Sequence, residues 1–421
     1  MKTDLHTAGT HRIPVETAAP AAVAEKGKAL LERLGVAPAS VGFEVPHRRL
    51  ERWKYTPVQG ILNAPLKRAV ESSGAAPFES NPVPGLDAYV VVFENGFVDL
   101  SKSDLPVVEG VSVSFSESIE SGRSDWFSAL HASVAPCGMT LTVEPGVVFD
   151  RPLLIRERFT GSDDASFVSH QVTVGANAQV ELIHWVDSVE TSSGFASGHW
   201  TVKLAENASL GMDCVQNDVA GLHRLTYTNV EQAASSRFRI HTATVSGDWV
   251  RNDLRIALNG KGADAILHGS FLPTGTERVD NHTTVDHRAA HCTSSELYRG
   301  VLHDQSNGVF NGKVFVRPDA QLTNAYQQSN NILASDKATM NAKPELEIYA
   351  DDVQCSHGCT IGQLDTDAMF YCRARGLDEV QARALLVQAF IADVVDGFAS
   401  EEVRAELTHL YATRHGWATE E

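Results

Sequence analysis

A degenerate repeat constrains this chain more than any other feature. Leu141-x-Val143-x-x-Gly146-Val147-x-Phe149 has the pattern of Val172-x-Val174-x-x-Asn177-Ala178-x-Val180 and of Val202-x-Leu204-x-x-Asn207-Ala208-x-Leu210. Val314-x-Val316-x-x-Asp319-Ala320-x-Leu322 is a later copy, and Ile256-x-Leu258 to Asp264-Ala265-Ile266 a looser one with a longer gap. Residues two apart in a strand share a face, so each apolar pair marks one buried face. Gly, Asn and Asp accept the left-handed backbone of a tight turn. Each copy therefore reads strand, turn, strand. Repetition of such a unit predicts a coiled β-solenoid in which each rung stacks on the last. The rival is a β-sandwich, whose strands also recur at short intervals. Asn324, Gln327, Gln328, Asn330 and Asn331 favour the solenoid, since amide side chains can ladder between rungs.

The flanks have a different texture. Residues 16–35 read as a helix stopped by Gly35, with Val23, Leu30, Leu31 and Leu34 on its apolar face. Trp53 and Tyr55 are expected to pack this small region. Residues 72–85, rich in Pro, Gly and Ser, read as a linker. Tyr89–Phe93 is a strand signal with Asn95-Gly96 as its turn, and a helical insert is expected around Asp125–Ser133. Helices resume after Gln363. Asp365 caps one that Gly376 ends, Asp378 opens a second with the stripe Val387, Ile391, Val394 and Phe398, and Ser400 opens a third running to about Arg414. The resulting division is 1–86 (N-terminal helical region and linker), 87–362 (β core) and 363–421 (C-terminal helical region). Three short helices bury little among themselves, which leaves their stripe to internal packing or to a partner.

Composition narrows the function. With 35 Lys and Arg against 53 Asp and Glu, the net charge is −18, which argues against binding nucleic acid or an anionic membrane. No run of about 18 apolar residues is present, and the first residues lack the apolar segment of a signal peptide. The first dozen are expected to be a disordered tail. Six cysteines at 137, 214, 292, 355, 359 and 372 form no regular framework, so thiols in a cytoplasmic setting are expected rather than disulfides.

Nucleotide motifs are missing. Gly308 to Gly312-Lys313-Val314 has three residues between its glycines where a phosphate loop needs four, and lacks the Ser or Thr. Two Asn-Gly turns account for it better. His282, His287, His291 and Cys292 cannot all share one strand face, so they read as scattered packing and surface residues. Cys355, His357 and Cys359 can: in an extended strand they point to one side, about 6.5–7 Å apart in succession. Thiolate and imidazole suit iron–sulfur chemistry, Cu(I) or Zn. Three ligands leave a metal coordinatively open, so the alternatives are a shared or transient site and plain structural thiols.

These residues lie in a longer stretch that resembles a known family. Lys343-Pro-Glu-Leu-Glu-Ile-Tyr-Ala-Asp-Asp-Val-Gln-Cys-Ser-His-Gly358, Thr360-Ile-Gly-Gln-Leu-Asp365 and Phe370-Tyr-Cys-Arg-Ala-Arg-Gly376 are similar to the C-terminal signature of the SufB/SufD family. Phe310-Asn-Gly-Lys-Val, Ala320-Gln-Leu-Thr, Asn330-Asn-Ile-Leu and Trp53-Lys-Tyr-Thr-Pro57 add to it, and the Cys-Ser-His-Gly form is that of the SufD branch. The resemblance implies a right-handed parallel β-helix between helical regions, in a non-catalytic scaffold of SUF iron–sulfur cluster assembly. It implies pairing with SufB through the β-helices, and docking of the ATPase SufC on the C-terminal helices, where Met369, Phe370, Leu385, Leu386, Phe390 and Ile391 are the candidate contacts. It also implies that a transient Fe–S cluster or iron, shared with SufB, uses His357 and Cys355; no nucleotide is expected on this chain. His287 and Cys292 match a family His and Cys. Cys359 stands where the family usually has Ala, and is either an added ligand or a substitution without a role; Cys372 replaces a Leu and is expected in the core. Two other readings are a β-helix polysaccharide enzyme using Asp351 and Asp352, and a SufB-like homo-oligomeric scaffold.

Overall fold

The computed structural model describes residues 19–71, 78–134 and 136–417. The expected N-terminal tail and the start of the first predicted helix lie outside these, as does the first part (72–77) of the predicted linker.

The chain alternates between two ten-stranded sheets, so each coil gives one strand to each sheet. Val172, Val202, Val230, Ile256, Val285, Val314 and Leu346 stack in one column through parallel pairing, at spacings from 26 (Val230 to Ile256) to 32 residues (Val314 to Leu346). This is a parallel β-solenoid, and its inward residues form one continuous core running from Tyr89 to Ala350. The same corner recurs in every coil. Gly146, Asn177, Asn207, Ser235, Gly262, His291 and Leu322 all have φ between 55° and 79°. The backbone N–H of Asn177 donates to Glu206 O, that of Asn207 to Ala234 O, that of His291 to Gln321 O and that of Leu322 to Asp352 O. The left-handed residue thus turns its own N–H onto the next coil, which is why small or Asx residues dominate there.

Several sequence expectations are adjusted by this arrangement. Val230-x-Gln232-x-x-Ser235-Ser236-x-Phe238 is a further in-register copy in which two inward positions, Gln232 and Ser236, are polar; Gln232 is buried and donates to the Ser236 and Asp264 carbonyls. Leu322, expected in a strand, is instead the exposed left-handed corner, and the strand starts at Thr323. Asn307-Gly308 and Asn311-Gly312 are not turns but lie inside the strand Asn307–Val316. There the glycines make room: a Cβ on Gly308 would fall 2.9 Å from Leu302, and one on Gly312 2.7 Å from Phe310. Amide ladders exist, but at Asn207 to Asn177 (2.8 Å) and along Gln216, Asn252 and Asn281 (2.8 and 3.0 Å), not between residues 324 and 331.

Helices cover both outer faces. Helix Ala21–Arg33 ends at Gly35, whose φ is 71°. Its Leu30, Leu31 and Leu34 join Trp53, helix Trp126–Ser133 and the outward Phe167, Phe195, Leu225, Tyr227 and Trp249 of one sheet. Trp53 is buried under the Arg251 guanidinium (4.1 Å), while Tyr55 is exposed, contrary to expectation. Arg52 pairs with Asp253 and Asp125, and Thr56 bonds Asp280. Phe78 and Val83, in the segment expected as a linker, pack as well, Phe78 beneath Lys102, Arg156 and Arg158.

On the other sheet lie helices Glu379–Val395 and Glu401–His415, opened by the Asp378 and Ser400 caps. The stripe Val387, Ile391, Val394 and Phe398, with Val403, Leu407 and Tyr411, packs on outward Trp185, Val215, Ala243, Val245, Leu272 and Val301. The C-terminal helices therefore bury their stripe on the solenoid rather than on each other. Cys372 is buried, as expected, and all six cysteines are free.

The two ends of the solenoid differ. At the first coil, strand Val111–Ser116 pairs antiparallel with Cys137–Val143, and hairpin Tyr89–Glu94/Phe97–Val98 closes the second sheet. At the last coil, strands Thr339–Ile348 and Val353–Gly362 each pair on one side only among the described residues.

Candidate site at the open end of the solenoid

The last strand carries Cys355, His357 and Cys359 in register with Ala325, Gln327 and Ser329, which are all buried. The three donors thus continue an inward-facing column, and the strand's period of two brings them to one side. Cys355 still packs against the core from below. Among the described residues no further coil stacks above, and His357 and Cys359 are exposed. Burial pushes the Cys355 thiol up, opposed by a backbone hydrogen bond at Ala325, and pushes Cys359 up as well. Both are therefore protonated near neutrality, and a soft metal binding there must displace their protons. The donor set suits iron or an iron–sulfur cluster, and its exposed edge allows ligands from a second chain.

The strand itself, Val-Gln-Cys-Ser-His-Gly-Cys-Thr-Ile-Gly, carries no acidic or Lys/Arg side chain. Edge strands of soluble proteins are usually blunted by charge or Pro. Its neighbour Thr339–Ile348 is blunted in this way, with Pro344 and with Lys343, Glu345 and Glu347. The edge at Val353–Gly362 is left open to another chain.

The other predicted residues fall elsewhere. His282 is buried with Asp280 (2.9 Å) and Arg251; His287 is buried, its Nε2 2.9 Å from Ser294 Oγ; His291 is an exposed corner; and the Cys292 thiol donates to Gly260 O. They are packing and surface residues, and among the described residues no group of three or more His, Cys, Asp or Glu forms a ready metal cage. Asp351 and Asp352 lie in the turn before the last strand, where Asp352 O accepts the corner N–H of Leu322. Of the helix residues, Phe370 (74% exposed) and Leu385 (48%) face solvent, while Met369, Leu386 and Phe390 are half-buried. Ile391 (3%) faces the sheet, contrary to its assignment as a docking contact, because it belongs to the stripe that holds its helix on the solenoid. Met369 and Phe370 line a groove of about 430 Å³ with Leu333, Arg373, Glu379 and Arg383. Sequence reasoning missed Glu296 and read Gln327 only as a ladder amide, although both lie beneath His357 in the same column; the signal was an acidic residue at an inward position of the repeat.

Fold and donor set together define a helix-flanked β-solenoid with a thiol–imidazole face at one open end. A family model described as SUF system FeS cluster assembly, SufBD core domain, matches residues 158–390. Among curated proteins, the iron–sulfur cluster assembly protein SufD of Escherichia coli is 26% identical over 373 residues, covering 86% of this chain and 88% of that protein. A SufBD-family iron–sulfur cluster assembly protein of Synechocystis is 27% identical, covering 91% and 90%. A chloroplastic protein of Arabidopsis thaliana is 27% identical, covering 66% and 61%. The chain belongs to the SufBD family of iron–sulfur cluster assembly proteins. No helix among the described residues is long and apolar enough to cross a membrane.

Proposed function

We propose that this chain is the SufD-type scaffold of a SufB–SufC–SufD complex, holding iron or a nascent cluster at the edge it shares with SufB. The observation that carries the reading is the uncharged last strand, whose inward side presents Cys355 and His357 at the solenoid's open end. A second β-helix adding a strand there would extend the sheet and close the donors in from the far side. Cys355 and His357 supply two ligands and the partner the rest; Cys359 is a third donor in reach, most simply a small-residue substitution. The cluster is cargo, built and passed on, and ATP turnover comes from SufC. SufC docks on the face around Met369, Phe370, Leu385, Leu386 and Phe390, because exposed aromatic and aliphatic anchors carry most interface energy.

Co-purification tests the assembly. Phe370→Asp should lose SufC and keep SufB, since it buries an unpaired carboxylate in the docking face only. In cells, His357→Ala should impair cluster maturation with normal solubility, and Cys359→Ala should be nearly silent. The isolated chain can homodimerise without harm to the reading; a tagged wild-type chain that pulls down no SufB when the two are co-expressed, or full complementation by His357→Ala, contradicts it.

A further inference from the structure

Glu296, Gln327 and His357 occupy equivalent inward positions in three successive coils. Glu296 and Gln327 are buried. Glu296 Oε2 accepts from Thr283 Oγ1 at 2.5 Å, and Oε1 accepts from Gln327 Nε2 at 3.3 Å. An ionised carboxylate only accepts, so it fixes the amide with nitrogen towards Glu296 and oxygen away from it. That oxygen, Gln327 Oε1, is buried with no hydrogen-bond partner among the described residues. Gly312 on the facing sheet provides the space, since a Cβ there would fall 2.2 Å from Gln327 Nε2. The side chain stacked on Gln327 in the next coil, about 4.8 Å along the sheet, is His357.

We infer that Glu296 and Gln327 are positioning residues for His357: one imidazole N–H donates to Gln327 Oε1, and the other ring nitrogen is thereby kept as a lone-pair donor at the open end. A histidine that ligates a metal commonly donates its other N–H to a fixed acceptor, which sets tautomer and ring orientation. Here the acceptor is an amide whose own orientation is set by a buried carboxylate one coil further in. The inference rests on the reading of His357 as a ligand; the register and the unpartnered acceptor belong to the isolated chain without metal, and the exposed imidazole turns inward to close the bond.

The test is a long-range proton–nitrogen correlation spectrum of the ¹⁵N-histidine-labelled full chain at pH 8.5, metal-free. Wild type should show His357 as a single tautomer. Gln327→Met, which keeps the side chain's length and removes the acceptor, should give the two-tautomer exchange of a free imidazole in an otherwise native spectrum; its melting temperature should fall, because Glu296 also loses the Gln327 hydrogen bond. Glu296→Gln, which no longer dictates the amide's orientation, should give partial mixing. A tautomer mixture in wild type, or the same single tautomer in Gln327→Met, overturns the positioning role. The ligand reading fails separately: the His357→Ala complex would assemble a full cluster while the wild-type tautomer remained fixed by Gln327.

Discussion

Glu296 offers a stability experiment whose magnitude follows from its surroundings. Its carboxyl is enclosed in the solenoid, and burial pushes it up to about 7, against the lowering effect of Thr283 and Gln327. In the unfolded chain it returns to the ordinary glutamate value of 4.5. Between those values the folded state binds the extra proton, so the stability this group contributes is present below 4.5 and lost as pH rises through 7. At about 1.4 kcal/mol per pH unit, the loss between pH 5 and pH 8 is about 2–3 kcal/mol. Glu296→Gln has the same shape and no titration, so it should escape the loss. Urea unfolding of both proteins at pH 5 and pH 8, followed by far-ultraviolet circular dichroism, measures it. The variant's stability relative to wild type should rise by about 2–3 kcal/mol from the lower to the higher pH. Parallel curves would show that Glu296 is charged in the fold at pH 5 and that the buried column is wetter than its packing indicates.

Two other outcomes can be measured with the same methods. Leu322 is a γ-branched residue at φ 59° with its side chain exposed, so Leu322→Asn should raise stability by about 1 kcal/mol; a loss would mean the side chain makes a contact that outweighs its backbone strain. Burial lowers His199, His268 and His287 to about 4 and His415 to about 3. Neutral imidazole is thus favoured in the fold, and the stability is lost as pH falls from about 6.5 towards 4; a flat melting temperature across that window would refute it.

The solenoid was legible because its inner columns need apolar residues two apart and its corners need a left-handed residue, both of which are local constraints. The coil at Gln232, Ser235 and Ser236 escaped notice because two of its inward positions, Gln232 and Ser236, are satisfied by hydrogen bonds instead of apolar contact. The Asn-Gly pairs at 307 and 311 were misread because a glycine that opens a turn and one that makes room for a facing side chain look alike in sequence. The staple of Arg52, Trp53 and Thr56 on Asp253, Arg251 and Asp280 joins residues about 200 positions apart, beyond any local pattern. At the site, the alternation of Cys355, His357 and Cys359 showed their shared side. That this side is the open end of a column, resting on Glu296 and Gln327, depends on where stacking stops, which the strand's own residues do not encode. The apolar stripe at Ile391 was visible too, but the surface that covers it was not.

The central claim is that His357 contributes a nitrogen ligand to iron or a nascent cluster held between this chain and SufB. Pulsed EPR on the anaerobically reconstituted and reduced complex, with only this chain ¹⁵N-histidine-labelled, tests it most directly. The account predicts a ¹⁵N coupling of directly bound strength in wild type that disappears in His357→Ala while SufB and SufC remain associated. A cluster signal with no such coupling, or one that survives His357→Ala, would contradict it.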